Sequence, residues 1–131
     1  MELKKHIDYW FISAGRDWGT AQDLFSLKRY DMCLFFSHLA IEKLLKGLTL
    51  INTKAPPPYT HDLAKLADRA GVKLDNDTIQ TFRLITTFNV SGRYDTEKFN
   101  FYKLCTRSFT KKHLAVCRDT YLWLKEQYPK R

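Results

Sequence analysis

Glycine and proline are scarce in this 131-residue chain, which contains five of the first and four of the second. An all-β protein of this length needs many turns, so their scarcity argues against a sandwich or a barrel. No apolar run is long enough to span a bilayer, and the N-terminus mixes charged and aromatic residues where a signal peptide has an apolar segment. The sequence therefore favours helices, and we expect a cytoplasmic protein without membrane contact.

Cysteine is also rare and shows no pairing pattern. The three cysteines, Cys33, Cys105 and Cys117, are an odd number without the spacing of a disulfide framework. Each falls on or near an apolar helical stripe. This placement predicts that the three cysteines are small core residues and that the protein occupies a reducing compartment.

Motifs for metal and phosphate chemistry are missing as well. The four histidines, His6, His38, His61 and His113, are scattered without metal-ligand spacing. The chain has no Gly-rich phosphate loop and no nucleophile elbow. We therefore predict no metal site and no cofactor.

The composition indicates one packed domain over residues 1–131. Hydrophobic residues make up 44% of the chain and aromatic residues 15%, which is too apolar for a disordered chain. The formal net charge is +8, which suits an acidic or phosphate-rich partner. A protein that is merely basic is an equal alternative.

The central feature is the proline-free run from Tyr30 to Ile51, in which apolar residues recur at three- and four-residue steps. That spacing predicts a helix that is apolar most of the way round and lies inside a bundle. His38, Glu42 and Lys46 follow one another at four-residue steps on the other side and form a polar column. Glu42 precedes Lys46 in the order that suits an exposed ion pair.

Periodicity predicts four further helices, and a proline-rich linker over residues 54–59 separates the first two from the rest. The five predicted helices run from near Glu2 to near Leu27, from Tyr30 to Ile51, from a cap at Thr60 or Asp62 to Gly71, from a cap at Asp75 or Asp77 to about residues 89–92, and from about Leu104 to Tyr128. The aromatic stretch up to Tyr102 is poorly periodic, so we predict a loop with at most a helical turn. The expected fold is an all-α, up-and-down bundle of about five helices.

Several motifs together resemble the HEPN family, named for higher eukaryotes and prokaryotes nucleotide-binding. The matching residues are Trp10, Ala14, Ala21, Leu24, Tyr30, the run F-F-S-H-L-A-I-E-K-L-L-K-G that ends at Gly47, Thr60-His61-Asp62-Leu63, and Gly92-Arg93-Tyr94. Their order and spacing cover nearly the whole chain. The resemblance implies a helical bundle that often dimerises and that associates with nucleotides or RNA. It also implies a small nucleotidyltransferase partner in a toxin–antitoxin-like system.

Some members of this family are metal-independent ribonucleases that use an arginine and a histidine four to six residues apart. Residues 93–99, where Arg93 aligns with that pattern, contain no histidine. Arg107 and His113 satisfy the spacing, but on one straight helix they lie about 120° apart. Two interpretations of these residues therefore stay open: they form a catalytic pair, or His113 is a core or interface histidine and Arg107 a surface arginine. A ribonuclease toxin and a structural oligomerisation partner remain the alternative functions.

Two groups of residues are candidates for ligand binding. We expect the column of His38, Glu42 and Lys46 to meet a nucleotide or RNA together with Arg93 and Tyr94. The alternative is that Glu42 pairs with Lys46 or Arg93 and fixes the loop in place.

The second group is a basic stripe on the last helix. Its members, Arg107, Lys111, Arg118 and Lys125, project within about 40° of one another. Such a stripe can follow a phosphate backbone, and a solvated charged face explains it equally well.

Overall fold

The computed structural model describes residues 2–129, which form six α-helices and no strand. The helices are α1 (Glu2–Ser26), α2 (Tyr30–Thr53), α3 (Leu63–Ala70), α4 (Asn76–Thr86), α5 (Asp95–Leu104) and α6 (Arg107–Glu126). The all-α bundle is confirmed, with one helix more than predicted. Within residues 2–129 no helix has the length and apolarity that crossing a bilayer requires.

α2 is the centre of the bundle. It shares its most extensive contact with α1 and also packs against α6 and α3. The chain turns from α1 into α2 through Lys28, whose φ of 61° is left-handed. Because α2 has neighbours on several sides, more than half of its residues are buried, as its apolar arc predicts.

Side-chain caps set the start of α3 and α4, and a third sets the start of α6. The Asp62 side chain accepts a hydrogen bond from the Lys65 N–H at 3.2 Å and begins α3. The Asp75 side chain accepts from the Thr78 N–H at 2.8 Å and begins α4. α3 ends at Gly71, whose φ of 77° is the left-handed conformation that glycine adopts without strain.

The prediction of a loop up to Tyr102 is wrong, because this segment is α5. The Glu97 carboxylate accepts a hydrogen bond from the Tyr94 N–H at 3.3 Å and stabilises the first turn. Of the ten residues of α5 only Phe101 is buried, so the sequence shows no apolar stripe there. α6 then begins at Arg107, because Thr106 caps it through the Phe109 N–H at 3.2 Å.

All three cysteines are free and buried, as predicted. Burial raises the pKa of the Cys33 thiol and of the Cys105 thiol to about 12. Across residues 2–129 the structure brings no three histidine, cysteine or acidic side chains together in a way that could hold a metal ion.

Candidate nucleic-acid interface

The polar column of α2 is covered, where an exposed pair was predicted. The His38 side chain has no exposed surface, the Glu42 side chain is 5% exposed and the Lys46 side chain 15%. The reason is the loop that follows α2, which returns across this side of the helix. Its His61 places Nδ1 2.9 Å from Glu42 Oε1 and its backbone carbonyl oxygen 3.4 Å from His38 Nε2.

Glu42 is the residue that joins the column to the loop. Its Oε2 lies 2.9 Å from Lys46 Nζ, while its Oε1 accepts the Nδ1–H of His61. A buried carboxylate is costly unless it is paired and hydrogen-bonded, and Glu42 has both kinds of partner. Glu42 thus pairs with Lys46, as one alternative expected, and the loop that it holds is the one that carries His61.

His38 and Lys46 differ in what they offer a ligand. Burial lowers the pKa of the His38 imidazole, and the attraction of the Glu42 carboxylate offsets only part of this. Lys46 Nζ lies 5.2 Å from the centre of the Trp10 ring and keeps some exposure. Ligand binding by the column stays a prediction. Solvent reaches Lys46 of the column and His61 of the loop that covers it.

In the part of the chain that the structure describes, no hydrogen bond or ion pair joins Arg93 or Tyr94 to the column. Arg93 lines an open groove of about 450 Å³ between the end of α4, α5 and the start of α6. Tyr94 precedes α5 and is 83% exposed. The residues that line the groove are Leu84, Thr87, Phe88, Arg93, Glu97, Asn100, Phe101, Leu104 and Phe109, and none belongs to the column.

Arg107 and His113 contact different partners. His113 Nδ1 lies 2.7 Å from the Phe109 carbonyl oxygen, and its ring stacks on the Phe109 ring with centres 4.1 Å apart. The Arg107 guanidinium lies 5.2 Å from the centre of the Phe25 ring. Both residues belong to the one continuous helix α6, so this arrangement matches a packed histidine beside a surface arginine. A catalytic role for them stays a prediction.

The basic stripe lies beside the seam between α6 and α1. Seven-residue spacing places Phe11, Trp18 and Phe25 on one side of α1, and all three contact α6. Trp18 stacks on Tyr121 at 5.2 Å between ring centres. An aromatic ladder of α1 therefore runs alongside the cations of α6.

The stripe cations are all exposed but have different surroundings. Arg107 and Lys125 lie over the rings of Phe25 and Phe11, at 5.2 and 5.8 Å from the ring centres. These two cations contribute to packing between α1 and α6. Lys111 and Arg118 occupy the middle of the stripe. Arg118 is 58% exposed, with only a loose 3.9 Å approach to the exposed Asp119.

The charge of the chain is concentrated around the corner between α5 and α6. No acidic residue occurs from position 98 to position 118, whereas six lysines and arginines do. This segment holds six of the eight net positive charges, and every one of its cations is exposed. The six are Lys98, Lys103, Arg107, Lys111, Lys112 and Arg118. The periodicity of each helix does not reveal this concentration of positive charge, but the absence of acidic residues from position 98 to position 118 is visible in the sequence.

The comparisons with known proteins agree with this architecture. A family model described as the HEPN domain matches residues 7–127. The solved structure of TT1696 from Thermus thermophilus is similar, with a TM-score of 0.76 and 19% identity over 93% of this chain and 98% of that one. ST0689, described as an archaeal HEPN homologue, has a TM-score of 0.68 and 21% identity over 92% and 96%. At these identities the likeness shows the fold alone. Among proteins with curated descriptions, none matches.

Proposed function

Because the chain belongs to the HEPN domain family, we propose that it is a nucleotide- or RNA-binding module that acts as a homodimer. The observation that carries the proposal is the acid-free, basic surface of residues 98–118. Phosphate groups along RNA are regularly spaced negative charges that hold condensed counterions. Exposed cations without intervening carboxylates can neutralise these phosphates, and the release of the counterions favours binding. The two central stripe cations, Lys111 and Arg118, contact phosphates in this proposal.

Salt-dependent binding tests the proposal. The protein is titrated into a fluorescently labelled 20-nucleotide RNA at several salt concentrations, and fluorescence anisotropy gives the affinity. The double variant Lys111→Gln, Arg118→Gln is expected to bind roughly tenfold or more weakly. Its slope of log affinity against log salt is expected to be shallower by about 0.7 per lost contact to single-stranded RNA.

A matched control removes two positive charges elsewhere. Lys5→Gln with Lys65→Gln changes exposed residues of α1 and α3 outside the acid-free segment. This variant is expected to keep most of the affinity and the slope. If both double variants lose affinity equally, net charge and not the stripe governs binding. Absence of binding to wild-type protein at low salt would remove the RNA-binding proposal.

The homodimer and the partner are separate parts of the proposal, and they rest on the family. Sedimentation equilibrium is expected to give twice the chain mass, and a monomer at all concentrations would remove the dimer. We propose a small nucleotidyltransferase, in a toxin–antitoxin-like pair, as the protein partner. Co-purification that persists at high salt and after nuclease treatment supports that pairing. If such a complex forms while RNA does not bind, the structural oligomerisation function is favoured instead.

Ribonuclease activity is an alternative that the contacts of His113 do not favour. Its Nδ1 is held by the Phe109 carbonyl group, and its ring packs against Phe109 and Phe88. Incubation with RNA in EDTA is expected to leave the RNA intact. Cleavage that His113→Ala or Arg93→Ala abolishes would instead make the protein an enzyme.

A further inference from the structure

α5 has two opposite sides with different surroundings. Residues 97, 100, 101 and 104 face the groove beside α4 and α6. Residues 98, 99, 102 and 103 lie on the other side: at about 100° per residue they project roughly 100–240° from residue 97, whereas the groove residues project within about 60° of it. The outer side of α5 therefore consists of Lys98, Phe99, Tyr102 and Lys103.

The two rings on this outer side are exposed. Phe99 is 57% exposed and Tyr102 is 58% exposed. Their rings stack with centres 6.1 Å apart and planes 18° apart, and Lys103 Nζ lies 4.8 Å from the centre of the Phe99 ring. Large aromatic side chains are normally buried, so adjacent exposed rings on one helix indicate a binding surface.

Charge identifies the kind of partner. The outer side of α5 carries Lys98 and Lys103, and the acid-free segment continues into α6 through Arg107. A second copy of this chain that used the same patch would place identical cations opposite one another, because a two-fold interface brings like surfaces together. A partner with negative charges avoids this repulsion, and flat apolar groups on it can pack against the rings. Single-stranded nucleic acid has both features.

We propose that the outer side of α5 is a base-stacking platform for single-stranded nucleic acid. When a strand binds, Lys103 leaves the Phe99 ring and contacts a phosphate, as Lys98 does, and the freed faces of Phe99 and Tyr102 stack on bases. In a duplex the faces of the bases are covered by their neighbours, so a duplex contacts the exposed cations of this surface but not its rings. The inference rests on the proposed RNA-binding function and specifies the form of RNA that the surface selects.

The test compares single-stranded and duplex RNA of the same length. The probes are a labelled 12-nucleotide strand of alternating cytidine and uridine and a labelled 12-base-pair duplex, both measured by anisotropy at one salt concentration. Phe99→Ala with Tyr102→Ala is expected to weaken single-strand binding by about tenfold or more. Duplex binding is expected to change by less than about threefold. The same comparison with a DNA strand is expected to show a similar loss, because stacking does not involve the ribose 2′-hydroxyl.

Two further variants separate stacking from apolar contact. Phe99→Leu with Tyr102→Leu keeps apolar side chains but removes the π-faces, so it is expected to bind single strands as weakly as the alanine pair. Tyr59→Ala removes a ring that is 98% exposed on the loop before α3 and is expected to leave both affinities unchanged. Full single-strand affinity in the leucine pair would overturn the stacking role.

A measurement on wild-type protein covers the case in which the variants misfold. A strand that contains 5-iodouridine is irradiated in the complex, and mass spectrometry locates the crosslink. Attachment at Phe99 or Tyr102 supports the platform, whereas crosslinks confined to other residues overturn it.

The outcomes distinguish this inference from the proposed function. If wild-type protein binds neither RNA, the proposed function fails. If it binds both and the alanine pair behaves as wild type, only the platform fails. Loss of dimer mass in the alanine pair, with single-strand affinity retained, would make this surface a contact between subunits and would also overturn the inference.

Discussion

Gly47 lies where the ring of Tyr128 crosses α2. A methyl group on Gly47 would overlap the Tyr128 hydroxyl and would come within 3.3 Å of Trp10 Cβ. That hydroxyl donates a 2.6 Å hydrogen bond to the Leu44 carbonyl oxygen. Tyr128 is thus held against the central helix at a position that only the smallest residue leaves open.

We expect Gly47→Ala to destabilise the protein although alanine is the better helix former. Overpacking costs about 1–3 kcal/mol, and the gain in helix propensity offsets about 1 kcal/mol of that cost. Gly19→Ala is the control, because no heavy atom lies within 4 Å of a Cβ placed there. It is expected to raise the free energy of unfolding by up to about 1 kcal/mol. Urea denaturation measures both, and a stabilised Gly47→Ala variant would show that Tyr128 moves aside freely.

At the scale of elements, α2 depends on the loop that follows it. Four-residue spacing correctly placed His38, Glu42 and Lys46 on one side of the helix. It could not reveal that His61 returns to cover that side, because the contact between Glu42 and His61 is set by the path of the linker. Helical spacing determines which residues share a face, whereas the neighbouring segment determines whether that face meets water.

This burial predicts a pH dependence of stability. Because the pKa of His38 is lowered in the fold, the unfolded chain takes up a proton near pH 6.5 while the folded chain does not. Stability is therefore expected to fall as the pH drops below about 6.5, by at most about 1.4 kcal/mol per pH unit, until the folded-state pKa is reached. Urea denaturation between pH 7.5 and pH 5.5 measures the slope.

His38→Gln is expected to flatten that slope, and His6→Gln, at an exposed histidine of α1, is expected to keep it. The slope shows whether His38 causes the pH dependence, even if His38→Gln lowers stability at every pH. An unchanged slope in His38→Gln would assign the effect to another group.

α5 shows why an element itself can be missed. Its groove side and its outer side both carry aromatic residues, and only Phe101 is buried. An amphipathic pattern arises where one side of a helix packs on a core. α5 packs only lightly against the bundle, so the sequence gives no such pattern, and the hydrogen bond from the Tyr94 N–H to Glu97 stabilises its first turn.

At the scale of the whole molecule, three separate elements contribute cysteines to the interior. Cys33 belongs to α2, Cys105 to the turn between α5 and α6, and Cys117 to α6. None is more than 6% exposed. Burial raises the pKa of each thiol, so little reactive thiolate is present near pH 8.

We expect all three thiols to react slowly in the folded protein and at one common rate. Each becomes accessible only when the core that α2 and α6 share comes apart. Pulsed alkylation at increasing urea concentration, read by mass spectrometry for each peptide, measures the three rates, and the protein in full denaturant is the control. Much faster labelling of Cys105 than of Cys33 would show that the turn before α6 opens by itself.

The sequence by itself determined the all-α class, the bounds of α1 and α2 within about two residues, the caps at Asp62 and Asp75 as candidates, and the burial of the cysteines. These features depend on local spacing and on side chains that bond to their own backbone, which adjacent residues specify. Tertiary structure alone decided that the polar column is covered, that Glu42 bonds to His61 and not to Arg93, and that the rings of α5 stay exposed. Each of these depends on which distant segment packs against a given face, and local periodicity carries no information about that choice.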